Sequence, residues 1–200
     1  LRCNYNCAKW CNPCYSLIMP VTINGNGTVT GLTALPDSAM SSGSVIQVVQ
    51  TYKTAAFSST PGSYTWVDVT GLSASITTTG SNKVKVTALV NVSPPYNGYN
   101  VYMKLLRGST DIGLGDAAGS ATRCSAAGYW SNDVSWDGFA TQPLFTQILD
   151  APSAGTHTYK IQIQTNYDSK TIYCGRSQNS TNTGMNTCPA GIITLEEVAA

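Results

Sequence analysis

Charged side chains are scarce in this chain. Asp, Glu, Lys and Arg make up 10% of its 200 residues, against about 25% in an average soluble domain. The formal net charge is +1, and the basic residues are scattered with no basic run. That pattern excludes the electrostatic footprint of a nucleic-acid binder or of a protein drawn to anionic membranes. No apolar stretch approaches the roughly 20 residues of a membrane span. The most apolar early run, Ser16–Val21, is too short for a signal-peptide core. Helical periodicity is also missing from every window of a dozen residues. Histidine occurs once, as His157, with Asp150 and Asp168 the nearest acids in sequence and no Gly-x-Ser-x-Gly elbow anywhere. A catalytic base needs a nucleophile and an orienting acid, so a rim histidine is the simpler reading. The expectation is a protein that is not an enzyme and holds no cofactor.

Thr, Ser, Gly and Asn fill the polar positions instead. Three zones follow one another. Residues 1–18 carry four cysteines. Residues 19–43 are rich in Gly, Thr, Ser and Ala, and open with MPVTINGNG, which would serve as a start by itself. Residues 44–200 are a strand-rich body. In the middle zone Val21, Ile23 and Val29 alternate around Asn24-Gly25-Asn26-Gly27, a tight-turn signal for a hairpin. An isolated hairpin is marginal, so this one is expected to pack on a partner or on the body. ALPDSAMSSGS reads as a tether.

The body opens with SVIQVVQTYK. Apolar residues lie on both of its faces, as in a strand buried on both sides. SYTWVDVTGL alternates next. Further strands are expected at Lys83–Val92, Tyr99–Arg107, Asp111–Gly115, Ala121–Ala127, Leu144–Leu149, Thr156–Thr165, Thr171–Gly175 and Gly191–Val198. HTYKIQIQT alternates most cleanly, with Tyr159, Ile161 and Ile163 on one side. Strands this frequent, broken by turn residues, predict an all-β fold. It would be an antiparallel β-sandwich or jelly-roll-like body with an extended N-terminal attachment segment.

Cys3, Cys7, Cys11 and Cys14 form the densest local signal. Three of them share the C-x3-C-x2-C spacing of radical SAM iron–sulfur sites, yet no βα alternation follows. A four-thiolate zinc site, disulfides and upstream sequence without fixed structure stay open, and no metal site is assigned. In the body, Cys174 and Cys188 flank a long polar loop that a bridge would close. Cys124 could pair with either or stay a buried thiol. The total of seven cysteines is odd, which leaves one thiol free or bonded to another chain.

Asp111, Asp116, Asp133, Asp137 and Asp168 could suggest paired carboxylates for glycoside hydrolysis, or calcium at Asp133 and Asp137. Neither spacing is a motif, and aspartates that end loops account for them. Asn26, Asn91 and Asn179 begin N-x-[ST] triplets. Aromatics gather in two turn-rich segments that hold Tyr96, Tyr99 and Tyr102, and then Tyr129, Trp130, Trp136 and Phe139. Aromatic faces stack on sugars, and neighbouring Asn and Asp bind hydroxyls. The candidate ligand site is therefore Tyr129, Trp130, Asn132, Asp133, Trp136 and Asp137. The plain alternative is that these aromatics plug the sandwich or a subunit interface.

Four segments can be read together: GSVIQVVQTYKT, SYTWVDVTGLSASIT, YMKLLRGSTDIGLGDAAGSATRCSAAG, and YCGRSQNSTNTGM with GIITLEEV. They resemble a family of small virion structural proteins of tailed phages, notably those of marine and freshwater cyanobacteria. These are described as tail-fibre or capsid-associated proteins. The resemblance covers about Met19–Val198, and MPVTINGNGTVTGL resembles the short attachment peptides that begin many such fibres. Residues 1–18 and the cysteines of the body depart from it. The resemblance implies no catalytic residue. It implies a virion protein facing the medium: a homo-oligomer, commonly a trimer, held to other virion proteins by its N-terminal segment. A host-surface glycan would be a partner, and nucleic acid and membrane would not. The alternative from the residues alone is a cell-surface adhesin or self-assembling extracellular filament subunit that donates its N-terminal hairpin to a neighbour's sheet edge.

Overall fold

The structure, a computed structural model, describes residues 22–23, 29–30, 39–93, 99–129, 141–179, 184 and 186–200. The chain divides into two compact units, Leu1–Ala39 and Met40–Ala200. In the first, β1 (Thr22–Ile23) pairs antiparallel with β2 (Val29–Thr30).

The second unit is an all-β sandwich, and no α-helix occurs among its described residues. Its strands in chain order are β3 (Val45–Lys53), β4 (Phe57–Ser59), β5 (Val67–Thr78), β6 (Lys83–Ser93), β7 (Asn100–Arg107), β8 (Thr110–Ile112), β9 (Ala126–Tyr129), β10 (Gln142–Asp150), β11 (Gly155–Thr165), β12 (Ile172–Cys174) and β13 (Gly191–Val198). One sheet runs β3-β13-β6-β12-β4, with β10 also along β6. The other runs β5-β11-β7-β8, with β9 also on β7. Every pairing is antiparallel.

Period-two alternation decides what each strand buries. Val84, Val86, Ala88, Val90 and Val92 of β6 all point inward and are buried. They meet Tyr159, Ile161 and Ile163 of β11, as their alternation predicted, with Val101, Met103 and Leu105 of β7 beside them. Asp150 ends β10 and reaches across to the facing sheet. It accepts hydrogen bonds from Tyr159 Oη and Arg107 Nη1, both at 2.7 Å.

Sequence and structure differ in instructive places. The expected strand at Ala121–Ala127 is β9 at Ala126–Tyr129. Residues 113–125 cross as a loop pinned by Arg123 Nε donating to the Gly115 carbonyl at 2.8 Å. Small Ala, Gly and Ser side chains there offer a sheet little to pack. The short strand β4 had no signal of its own and forms by pairing with β12. The double-sided apolar pattern of β3 predicted burial on both sides. In this unit β3 is an edge strand, and its outward Val48 and Tyr52 stay 58% and 63% exposed.

Candidate assembly and recognition surfaces

The aromatics converge at one end of the β7 sheet. Tyr129 ends β9 directly across from Asn100, the first residue of β7. Asn100 donates its backbone N–H to Asn166 Oδ1 at 2.9 Å and its side-chain amide to Tyr102 Oη at 3.1 Å. Tyr99 lies against Tyr167, ring centres 4.0 Å apart and tilted by 40°. Lys170 Nζ sits 5.9 Å from the Tyr167 ring centre. Nearby, the Tyr64 N–H donates to the Thr165 carbonyl at 2.8 Å, which holds Tyr64 at φ 58° with its ring exposed. Positive φ is costly for an aromatic residue, and this backbone bond helps hold the conformation. Exposed rings beside amides and a cation suit stacking on an apolar ring face.

Of the six expected ligand residues, Tyr129 is present here and exposed. Trp130, Asn132, Asp133, Trp136 and Asp137 lie outside the described residues, as do Tyr96 and Phe139. Sequence reading missed Tyr64 and Tyr167. Each sits in a turn far along the chain from the two aromatic segments, and only strand pairing draws them together.

The expected bridge between Cys174 and Cys188 is not formed; Cys124, Cys174 and Cys188 are all free thiols. Strand parity is the reason. Cys174 points inward beside Ile172 and is 2% exposed, while Cys188 is exposed outside the core. Burial pushes the Cys174 thiol up to about 12 and raises that of Cys124 as well. Cys3, Cys7, Cys11 and Cys14 lie outside the described residues.

Several of the other polar candidates are engaged in the scaffold, while Asp116 and Asp168 are exposed and Asn26, Asp133 and Asp137 lie outside the described residues. His157 Nε2 donates to the Ser153 carbonyl at 2.8 Å. Asp111 pairs with Lys104 at 2.8 Å. Asp68 accepts from Lys160 and Gln162 at 2.8 and 2.7 Å. The Lys160 hydrogen bond, with the Gln162 bond helping against partial burial, holds the Asp68 carboxyl below its ordinary range. Asn91 donates its amide to the Ala190 carbonyl at 2.8 Å. Among the described residues no three His, Cys, Asp or Glu side chains cluster as metal ligands do.

The outward faces of the two sheets contrast in chemistry. On the β5–β11 face, hydroxyls pair across strands: Ser75 with Thr158 and Thr77 with Thr156, each at 2.7 Å. Asp68, Lys160 and Gln162 continue that face. On the other sheet, β3, β13, β6 and β10 present three successive cross-strand rows outward. The first is Tyr52, Ile192, Leu89 and Phe145. The second is Gln50, Thr194, Thr87 and Gln147, where each Gln amide donates to its neighbouring Thr hydroxyl at 2.8 and 2.9 Å. The third is Val48, Glu196, Lys85 and Leu149, with Lys85 and Glu196 ion-paired at 2.6 Å. At the outer ends of these rows Phe145 and Leu149 are 56% and 55% exposed. The β5 edge beside this sheet is partly covered, because Thr51 Oγ1 and Gln47 Nε2 donate to the Ser73 and Thr77 carbonyls.

No family model and no curated protein matches the chain. Among solved structures it is similar to a chain in a structure of the infectious bursal disease virus Gx strain. The TM-score is 0.36 and the identity 12%, over 78% of this chain and 38% of that one. This chain spans well under half the length of that virus protein chain.

Proposed function

We propose that this chain is a non-enzymatic virion structural protein, a fibre or capsid-decoration subunit that works by assembly. The observation that carries the reading is the contrast between outward faces. One sheet shows water a ladder of hydroxyls and charges; the other carries an apolar row, Tyr52, Ile192, Leu89 and Phe145, across four strands, with Val48 and Leu149 also exposed at its two edges. An exposed apolar row of this kind marks a surface that meets a partner. The resemblance of its segments to virion proteins of tailed phages supports a place on a particle facing the medium. Residues 19–43 would fix the subunit to other virion proteins. The aromatic end, with Tyr129 on its rim, would meet a host-surface glycan.

The test is antibody raised against the full chain, applied to particles and cells from its natural source and imaged in negative stain. Label on the particle exterior is the expected result. Label confined to cell-surface filaments overturns the virion reading in favour of an adhesin or filament subunit.

A further inference from the structure

From the three outward rows of the β3-β13-β6-β10 sheet, we infer that this face is a self-complementary interface, and that its occupant is a second copy of the chain related by a two-fold axis along the strands. The inference deepens the proposed function and rests on it only in treating the chain as an assembling subunit.

The argument starts at β3. Its apolar residues alternate onto both faces, as in strands covered from both sides, yet the described residues cover one side. Val48 and Tyr52 remain more than half exposed. A second layer is missing from the energetics of that strand, and the layout of the face specifies what the layer is. A two-fold axis parallel to the strands, midway between β13 and β6, lays β3 of one copy over β10 of the other and β13 over β6. In the first row Tyr52 then meets Phe145 and Ile192 meets Leu89, so apolar faces apolar throughout. In the second row Gln50 meets Gln147 and Thr194 meets Thr87. Each Gln amide keeps one bond to its own Thr, and Gln50 facing Gln147 lets the remaining amide donors and acceptors pair across the axis when water leaves. In the third row Val48 meets Leu149, and Glu196 meets Lys85.

Charge decides for a second copy over any other apolar occupant. The face carries one anion and one cation at its centre, Glu196 and Lys85. A partner that buries it has to offer a cation and an anion in the opposite order. The same face turned over does that, as an isologous interface requires. Two aligned sheets pack about −30° apart, so the fit is tightest at the centre, where these two residues stand. The patch spans four strands and three rows, roughly 19 Å by 20 Å. At about 380 Å² a side, or ~760 Å² in total, it is smaller than the roughly 1,200 Å² of a stable dimer interface, so association is weak and concentration dependent. The symmetry the face specifies is two-fold, which sets this contact apart from the trimer implied by the family resemblance.

The experiment is sedimentation equilibrium of the full chain with a charge-swap pair. Wild type is expected to form a reversible dimer. Lys85→Glu and Glu196→Lys each put like charges across the axis, and each weakens its own dimer by about tenfold or more. Mixed together, the two variants restore opposite charges across the axis and form a mixed dimer. Loss of the ion pair within each chain cannot produce that rescue. Phe145→Asp, at an exposed position, is a second variant and is expected to sediment as a monomer with an unchanged melting curve. A wild-type chain that stays monomeric up to about 1 mM overturns the inference, as does an oligomer untouched by these substitutions. Either failure leaves particle labelling by the antibody intact, so the two readings fail separately.

Discussion

A cysteine's chemistry here follows from the direction its side chain takes off a strand. Cys174 alternates inward with Ile172 on β12, and burial lifts its thiol to about 12. The thiolate is the reactive form, so this sulfur is protected twice, by access and by ionisation. Cys188 is exposed. Iodoacetamide at pH 8 followed by peptide mapping is expected to modify Cys188 in the native protein. Cys174 should react slower by roughly a hundredfold or more, until denaturant is added. If neither reacts before reduction but both react after it, each is disulfide-bonded and the inward placement of Cys174 as a free thiol is wrong. The spacing of these two cysteines around a polar loop was legible in the sequence. Their parity was not, because it depends on where a three-residue strand starts.

At the scale of elements, turns set the register of long strands. The β5–β6 turn holds Gly80 at φ +87°, and a Cβ there would sit 2.4 Å from the Ala154 backbone nitrogen in the β10–β11 turn. Thr78 Oγ1 binds the Ser153 carbonyl of that same turn at 3.1 Å. Two turns that each cross from one sheet to the other therefore press together over Gly80. In the β7–β8 hairpin Gly108 has φ +60° with nothing within 4 Å of its missing Cβ. Alanine at either site costs about 1–3 kcal/mol for the backbone conformation. Gly80→Ala adds a backbone clash that Gly108→Ala lacks. Urea titration is expected to show the larger loss of stability for Gly80→Ala, and equal losses would refute the close approach of the two turns. The hairpin at Gly108 was readable, since a Gly-Ser pair between alternating runs suits a two-residue turn. The contact at Gly80 joins residues far apart in sequence and left no local trace.

Across the whole molecule the fold depends on pairing distant segments. β13 lies between β3 and β6, and its Ile193 and Leu195 are fully buried. Its Glu197 is buried too, and takes hydrogen bonds from Asn82 and Gln47. Beyond the strand, Ala199 and Ser44 are joined by a 2.9 Å backbone bond. Removing residues 191–200 takes away two core aliphatics, each worth about 2–5 kcal/mol, and opens ladders on both sides. That exceeds what a domain stabilised by about 5–15 kcal/mol survives. The truncated chain is expected to melt without a cooperative transition by circular dichroism. A sharp melt would show that β13 is dispensable.

The all-β class, a strand at Gly191–Val198 and the shared face of Tyr159, Ile161 and Ile163 on β11 were legible from the residues, because period-two alternation is written residue by residue. The same alternation also marked β3 as apolar on both sides. That β3 is an edge strand, that Cys174 faces the core, and that Tyr52, Ile192, Leu89 and Phe145 share one row emerge only on folding. Those facts depend on which strands become neighbours. Strand order comes from pairing between segments far apart in the chain, and no local pattern encodes it.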